Sequence, residues 1–433
     1  TVKSPNPAFR NIEIPLVSNF MLSSKKGKES YVEPIINDKG YKFVIRKGTP
    51  QNPKIVKNGT KLGRGNFKCL MSDDPIDPAW IMNEASSGRM NFKLMAIVAQ
   101  GNKGRVYLDP TDEQEKIAQN AEPKWQPETE FFKKALGFRV GNYGMSKWSD
   151  LFTKRQLLVL TTLSDLVIEV KDKIEEDAKN SGLNSDYISL EDGGIGAKAY
   201  AESILIYLSF AISRIADYNS SITSWKSSGE QVIHTFNRQA VPMTWDFPES
   251  NILGTSSICW LNSIKYTCQN LSSVYFKSQQ GFSLQSDAQS QDISKNKIIA
   301  TDPPYYDNIA YADLSDFFYV WLKPVLKQIY KNLFATLTTP KTDELVASPS
   351  RKGGKEKADI FFLDGMTKAM KQIGEKANYC YPITIYYAFK QTEKKGKEGT
   401  ASTGWETFLE AVLDAGLAIK GTWPIRTELL NRM

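Results

Sequence analysis

The tetrapeptide Asp302-Pro303-Pro304-Tyr305 directly follows the apolar run Ile298-Ile299-Ala300-Thr301, and no other feature narrows the fold as far. A short apolar run that ends in a turn signal reads as a buried strand, here residues 297–301. The two prolines end it, since each fixes φ and removes a backbone donor. At average residue usage an acid, two prolines and an aromatic in that order arise by chance in a chain of 433 residues roughly one time in a hundred.

The surrounding pattern predicts a mixed sheet-and-helix domain. Helical periodicity runs from residue 255 to 275, a short strand is expected at 282–285, and helices at 314–330 and 358–375 follow the 297–301 strand. A strand at 383–389, a helix at 405–415 and a strand at 417–423 complete the alternation. Such an order indicates a mostly parallel sheet with helices on its faces, and ligands in such sheets sit beyond the carboxyl ends of the strands. Asp287 and Asp302 fall at two of those ends.

Upstream the character differs. Short strands are expected at 31–34, 41–45 and 104–108, a polar linker at 112–128, and two long helices at 154–176 and 197–218. We therefore expect a β-rich module over 1–110, a helical insert over 111–251, and an α/β domain over 252–433. The run Lys394-Lys395-Gly396-Lys397 reads as a solvated loop.

Composition bounds the function. Hydrophobic residues make up 41% and charged residues 24%, ordinary globular usage, and no run has the length of a membrane span. The opening Thr1-Val2-Lys3-Ser4 lacks an initiator Met and a signal sequence, as expected of an internal fragment. Cys69, Cys259, Cys268 and Cys380 form no disulfide framework, which fits a reducing cytoplasm. His234 is the only histidine, so imidazole-rich metal sites are excluded, and no nucleophile or orienting acid is recognisable near it. A net charge of +7 permits a polyanionic partner without demanding one. Asp246 and Glu249 stand three apart among Trp245, Phe247 and Pro248, but no companion acidic cluster supports a glycosidase or metal reading. That segment is expected to pack beside a cofactor pocket.

The tetrapeptide's chemistry suits methylation of an exocyclic amine. The lone pair of such a nitrogen is delocalised into its ring until hydrogen bonds from its two N–H groups draw it toward tetrahedral geometry. The Asp302 carboxylate and the Pro303 carbonyl are suited to accept both, and Pro303 and Pro304 hold the backbone still. Tyr305 is suited to stack on a base flipped out of a duplex. Asp287, at the end of the preceding strand, is placed to accept from the adenine amino group of S-adenosylmethionine in a class I methyltransferase sheet.

Thr301-Asp302-Pro303-Pro304-Tyr305-Tyr306-Asp307-Asn308, with Tyr311-Ala312-Asp313-Leu314-Ser315-Asp316-Phe317-Phe318 and onward to Leu322, closely resembles the large adenine-specific DNA methylases that carry a zinc-ribbon insert. The likeness continues through Gly137-Phe138-Arg139-Val140, Asp150-Leu151-Phe152-Thr153, Ala216-Asp217-Tyr218-Asn219-Ser220, Phe236-Asn237-Arg238-Gln239, Trp405-Glu406-Thr407 and Trp423-Pro424-Ile425. It implies a Rossmann-like class I methyltransferase sheet, incomplete in this chain, S-adenosylmethionine as methyl donor, adenine N6 in DNA as acceptor, and a restriction-modification or phage-defence setting. The family's Gly-rich motif I is expected ahead of Thr1 and a closing strand beyond Met433, so this chain alone is expected to bind the cofactor weakly. Ser4, Phe9 and Ser72 stand where the family's zinc ribbon has cysteines, leaving Cys69. One thiolate cannot hold a tetrahedral zinc, so the ribbon is expected to be metal-free and stabilised by packing. The alternatives are a cytosine-N4 or RNA-base methyltransferase, and a non-catalytic nucleic-acid-binding subunit of a defence system.

Overall fold

The computed structural model describes residues 1–102, 104–133, 135, 137–274, 281–306, 309, 311–387 and 403–425. The chain is a mixed α/β protein of helices and several small sheets, divided into two compact units. One unit comprises Thr1–Lys133, Phe138–Val274 and Ser315–Thr338, and the other Lys134–Gly137, Tyr275–Leu314 and Thr339–Met433.

In the first unit, Ser30–Asn37 and Gly40–Lys47 form an antiparallel hairpin, and Met21–Ser23 pairs on its outer side. Asn37 Oδ1 accepts from Lys39 N at 2.9 Å and ties the turn, and Gly40 supplies the positive φ that follows it. Gly104–Leu108 forms as expected and pairs with Ile97–Gly101. Two shorter hairpins, Val2–Lys3 with Glu13–Ile14 and Phe67–Lys68 with Pro75–Ile76, contribute Val2, Ile14, Phe67, Cys69 and Ile76 to one buried cluster. Trp245 closes that cluster edge-on to Phe67 at 4.8 Å. These hairpins are the module compared above to a zinc ribbon, and apolar packing joins them.

The polar segment expected to link the modules contains a helix, Asp112–Gln119. Thr111 Oγ1 accepts from Gln114 N, and Asp112, Glu113 and Glu115 fill the first turn, where carboxylates favour the helix dipole. Capping, not an apolar stripe, defines this helix, and none of its residues is buried. The long helix Lys154–Asn180 opens on a reciprocal cap: Gln156 N donates to Thr153 Oγ1 at 3.2 Å, and Thr153 N to Gln156 Oε1 at 2.9 Å. Ala197–Tyr218 buries Ala201, Leu205, Ser209, Ile212 and Ala216 along one stripe, packed against Lys154–Asn180 and against Trp260–Ser272. By length and composition it is apolar enough to cross a membrane, which departs from the sequence expectation that no run is long enough, and half-buried core helices share the property.

The second unit is built on Ala300–Thr301 and Thr384–Ile385, a parallel pair in register Ala300 with Thr384 and Thr301 with Ile385. Its core joins Ala358, Phe362, Met366, Ala369, Met370 and Ile373 of Lys355–Lys376 to Phe408, Ala411 and Val412 of Thr403–Asp414. Ile299, Ile383, Ile385 and Tyr387 pack against that core, so alternate strand residues meet the two helices. The opposite face carries Ile298, 66% exposed, and Tyr386, 52% exposed.

Three sequence expectations are corrected here. The strand expected to be buried over 297–301 is paired only at Ala300–Thr301, and its second face is open among the described residues. No strand forms at 282–285, where Phe282 and Leu284 are exposed, or at 417–423, where Trp423 is exposed. Both segments have the composition of a strand without a neighbouring strand to satisfy their backbone groups among the described residues. The mostly parallel sheet therefore reduces, among these residues, to one parallel pair. Residues 388–389 of the expected strand at 383–389, and the run at 394–397, lie outside the described residues.

Candidate active site

Asp302 leaves the carboxyl end of its strand into solvent, while Pro303 behind it is buried. The Tyr305 hydroxyl reaches Asp302 Oδ1 at 3.4 Å, so both ends of the tetrapeptide face the same space. No described residue donates to the Pro303 carbonyl. Asp302 and Pro303 thus carry two oxygen acceptors at the carboxyl end of a parallel strand, the end at which sheets of this type commonly bind ligands.

The loop is anchored behind these atoms by Tyr306, which is buried. Its carbonyl accepts from Ala347 N at 2.7 Å, its amide donates to the Tyr387 hydroxyl at 3.3 Å, and its own hydroxyl donates to Asp359. Gly404 makes this possible: a Cβ there would stand 2.8 Å from Tyr306 Cβ and 3.0 Å from its ring. Tyr387 lies two residues beyond the neighbouring strand Thr384–Ile385 and stacks on Phe408 at 4.0 Å and 11°, with its ring 5.5 Å from that of Tyr305 and nearly perpendicular to it. Trp405 lies over the same group, 5.8 Å from Tyr387. An aromatic layer therefore stands behind the ring proposed to meet a base.

The helix Tyr311–Leu326 follows the loop. Burial, and then the charges of Tyr305, Asp302 and Glu344, push the Tyr311 hydroxyl up to about 12, so it remains a neutral hydrogen-bonding group at physiological pH. Asp307 and Asn308 lie outside the described residues.

Asp287 is exposed, and its role differs locally from the strand-end position expected of it. Oδ1 accepts from Gln289 N at 2.9 Å and the Asp287 carbonyl accepts from Ser290 N and Gln291 N, which makes it the first residue of a turn. Its Oδ2 takes no hydrogen bond from a described residue, so one oxygen is available to an amino group. No hydrogen bond joins Asp287 to residues 302–305 among the described residues.

Outside this site, Trp245 and Phe247 line a half-open cleft of about 220 Å³ in the first unit with Phe92, Tyr143, Asn91 and Asp150. Ligand sites usually run from about 300 to 1,000 Å³, and the cleft falls short of what S-adenosylmethionine needs. His234 Nδ1 lies 3.4 Å from Asp217 Oδ2, and burial raises the Asp217 pKa although His234 opposes it. The nearby hydroxyls of Ser220 and Thr235 bond each other at 2.7 Å. Ser4 Oγ lies 3.5 Å from the buried Cys69 Sγ. Burial alone raises the Cys69 pKa, but the polar groups around the sulfur, the Ser72 and Ser4 hydroxyls and the amides of Met71 and Ser72, outweigh it and leave the pKa below its ordinary value; only Ser4 lies within hydrogen-bond reach of the sulfur among the described residues. Ser4 and Ser72 thus lie beside the Cys69 sulfur, and Phe9 lies half-buried one turn from Asn6. No group of three metal-ligating side chains occurs among the described residues.

Sequence reasoning missed Tyr387, Asp359, Glu344 and Arg351. The only signal for Tyr387 was its place in an expected strand; the other three are ordinary charges that each have a partner more than 30 residues away, such as Arg351 with Asp313, although Arg351 and Glu344 also pair with each other seven residues apart. No protein-family model, curated protein or solved structure matches the chain.

Proposed function

We propose that this chain carries the base-holding part of an S-adenosylmethionine-dependent amino-methyltransferase that acts on adenine N6 in DNA, on a class I methyltransferase type of sheet. The observation that carries the reading is the exit of Asp302-Pro303-Pro304-Tyr305 from a parallel strand, with the Asp302 carboxylate exposed, the Pro303 carbonyl taking no hydrogen bond from a described residue, and Tyr305 beside them. Asp302 accepts one amine hydrogen and Pro303 the other, which concentrates the nitrogen's lone pair for attack. Tyr305 offers a π-face to the flipped base, and the Tyr387–Phe408 layer fixes its tilt. When bound, S-adenosylmethionine supplies an electrophilic methyl on a sulfonium. Asp287 Oδ2 fits its adenine amino group, and we assign no residue here to its methionine end. The protein's remaining task is orientation and exclusion of water, which accelerates such in-line transfers without a metal. The first unit, in a chain of net charge +7, is the part we assign to supporting DNA.

Product identity tests the proposal. The full-length protein is incubated with S-adenosylmethionine and either duplex DNA or RNA, and the nucleosides are resolved by mass spectrometry. N6-methyldeoxyadenosine is the expected product. N4-methyldeoxycytidine or a methylated ribonucleoside would move the activity to another base, and no methylated nucleoside at all would favour a non-catalytic nucleic-acid-binding subunit.

A further inference from the structure

One short segment, residues 344–351, holds both ends of the loop that starts at Asp302. At the near end, Ala347 N donates to the Tyr306 carbonyl at 2.7 Å. At the far end, Glu344 Oε1 accepts from Ala312 N at 2.9 Å, one of the amides that the helix Tyr311–Leu326 leaves without an intrahelical partner. Arg351 ties the far end down: Nη1 donates to Glu344 Oε2 at 2.5 Å and Nη2 to Asp313 Oδ2. All three side chains are largely buried, Asp313 at 3% exposure, Glu344 at 14% and Arg351 at 15%.

Stability does not explain this group. Two carboxylates face one guanidinium in a poorly hydrated place, with the Lys341 charge also felt by Asp313, and Asp313 Oδ1 has no hydrogen-bond partner among the described residues. Buried ion networks of this kind are commonly neutral or unfavourable relative to apolar side chains of the same volume, and their best-attested use is to fix register. Arg351 suits that use because its planar fork bonds two carboxylates in fixed directions.

We propose that Asp313, Arg351 and Glu344 form a brace that sets where the helix after the catalytic loop begins, and so where Asp302 and Tyr305 point. Arg351 is then a positioning residue, linked to the reacting amine only through the loop. The effect on methyl transfer rests on the function proposed above; the effect on the loop does not.

The test therefore has two readouts. The full-length protein is compared with Asp313→Leu/Glu344→Met/Arg351→Met, which removes all three charges at similar volume, and with Arg351→Lys, which keeps the charge but not the fork. Hydrogen exchange read by mass spectrometry should show peptides over 302–316 exchanging on the order of tenfold faster in the triple variant, with Lys355–Lys376 as protected as in the parent. Single-turnover methyl transfer should fall on the order of a hundredfold, the scale of a misplacement near 1 Å, while DNA affinity stays within about threefold. Arg351→Lys should fall between parent and triple variant in both readouts. Unchanged exchange over 302–316 in the triple variant overturns the brace, and if that variant does not fold, unchanged exchange in Arg351→Lys does so. A parent protein that methylates nothing removes the proposed function and leaves the exchange comparison to decide the brace by itself.

Discussion

Gly404→Ala offers a sharp test of how the loop is seated, because two opposing effects meet there with magnitudes the structure supplies. Alanine is favoured over glycine in a helix by about 1 kcal/mol at most, and less in the first turn, where Gly404 lies in Thr403–Asp414. Against this, the new Cβ would stand 2.8 Å from Tyr306 Cβ. Tyr306 cannot yield easily, since its amide, carbonyl and hydroxyl are all held. Overpacking of this kind costs about 1–3 kcal/mol, so the net change is a loss of roughly 0–2 kcal/mol. Gly374→Ala is the control: it lies inside Lys355–Lys376, and its Cβ would meet only the end of the Leu417 side chain, at 2.9 Å. That side chain can rotate away, so this variant should gain up to about 1 kcal/mol. Urea unfolding of both variants gives the comparison, with Gly404→Ala expected about 1–3 kcal/mol below Gly374→Ala. Equal stabilities, or a more stable Gly404→Ala, would refute the close seating of Tyr306.

Three further outcomes follow from the same geometry. Tyr305→Ala should weaken capture of a flipped base by about 1–3 kcal/mol, and Tyr305→Phe should be mild, because the π-face carries the stacking; binding of DNA with an abasic partner opposite the target adenine measures both. Asp246 is half-buried and accepts from Ser18 N at 2.9 Å and from the Ser18 hydroxyl, and its partial burial raises its pKa above the ordinary value. A raised carboxyl stabilises the fold at low pH and loses that contribution as pH rises through its folded pKa, so the melting temperature of Asp246→Asn relative to the parent should climb from acid toward neutral pH; a gap that stays flat would contradict it. Elemental analysis should find less than one zinc per chain, since Ser4 and Ser72 flank the single Cys69 thiol; a tightly bound stoichiometric zinc would overturn the packing account of the two hairpins.

Local signals carried much of the fold. Ala197–Tyr218 was legible to the residue because a sustained apolar stripe follows Gly196, and Gly104–Leu108 because alternation ends at a turn. Asp112–Gln119 was hidden because its helix depends on a Thr cap and acidic first turn, with no buried face. The expected strands at 282–285 and 417–423 show the reverse failure: β-type composition indicates a strand only where a partner strand exists, and partnership is not a local property. The exit of the Asp302–Tyr305 loop from a strand was legible because an apolar run leads directly into two prolines. Its support was not, since Tyr306 meets Asp359 and Tyr387, and Asp313 meets Arg351, only after the chain has closed on itself.

The account depends most on the Asp302 carboxylate, and Asp302→Ala in the full-length protein tests it most directly. Methyl incorporation from labelled S-adenosylmethionine into adenine-containing DNA is measured beside thermal unfolding. Asp302 is exposed and its side chain contributes one long bond to Tyr305, so the variant should melt close to the parent. Turnover should fall on the order of a hundredfold to a thousandfold, the size of losing one preorganised partner of the reacting group, with cofactor affinity little changed. Full turnover in a well-folded Asp302→Ala protein would contradict the assignment.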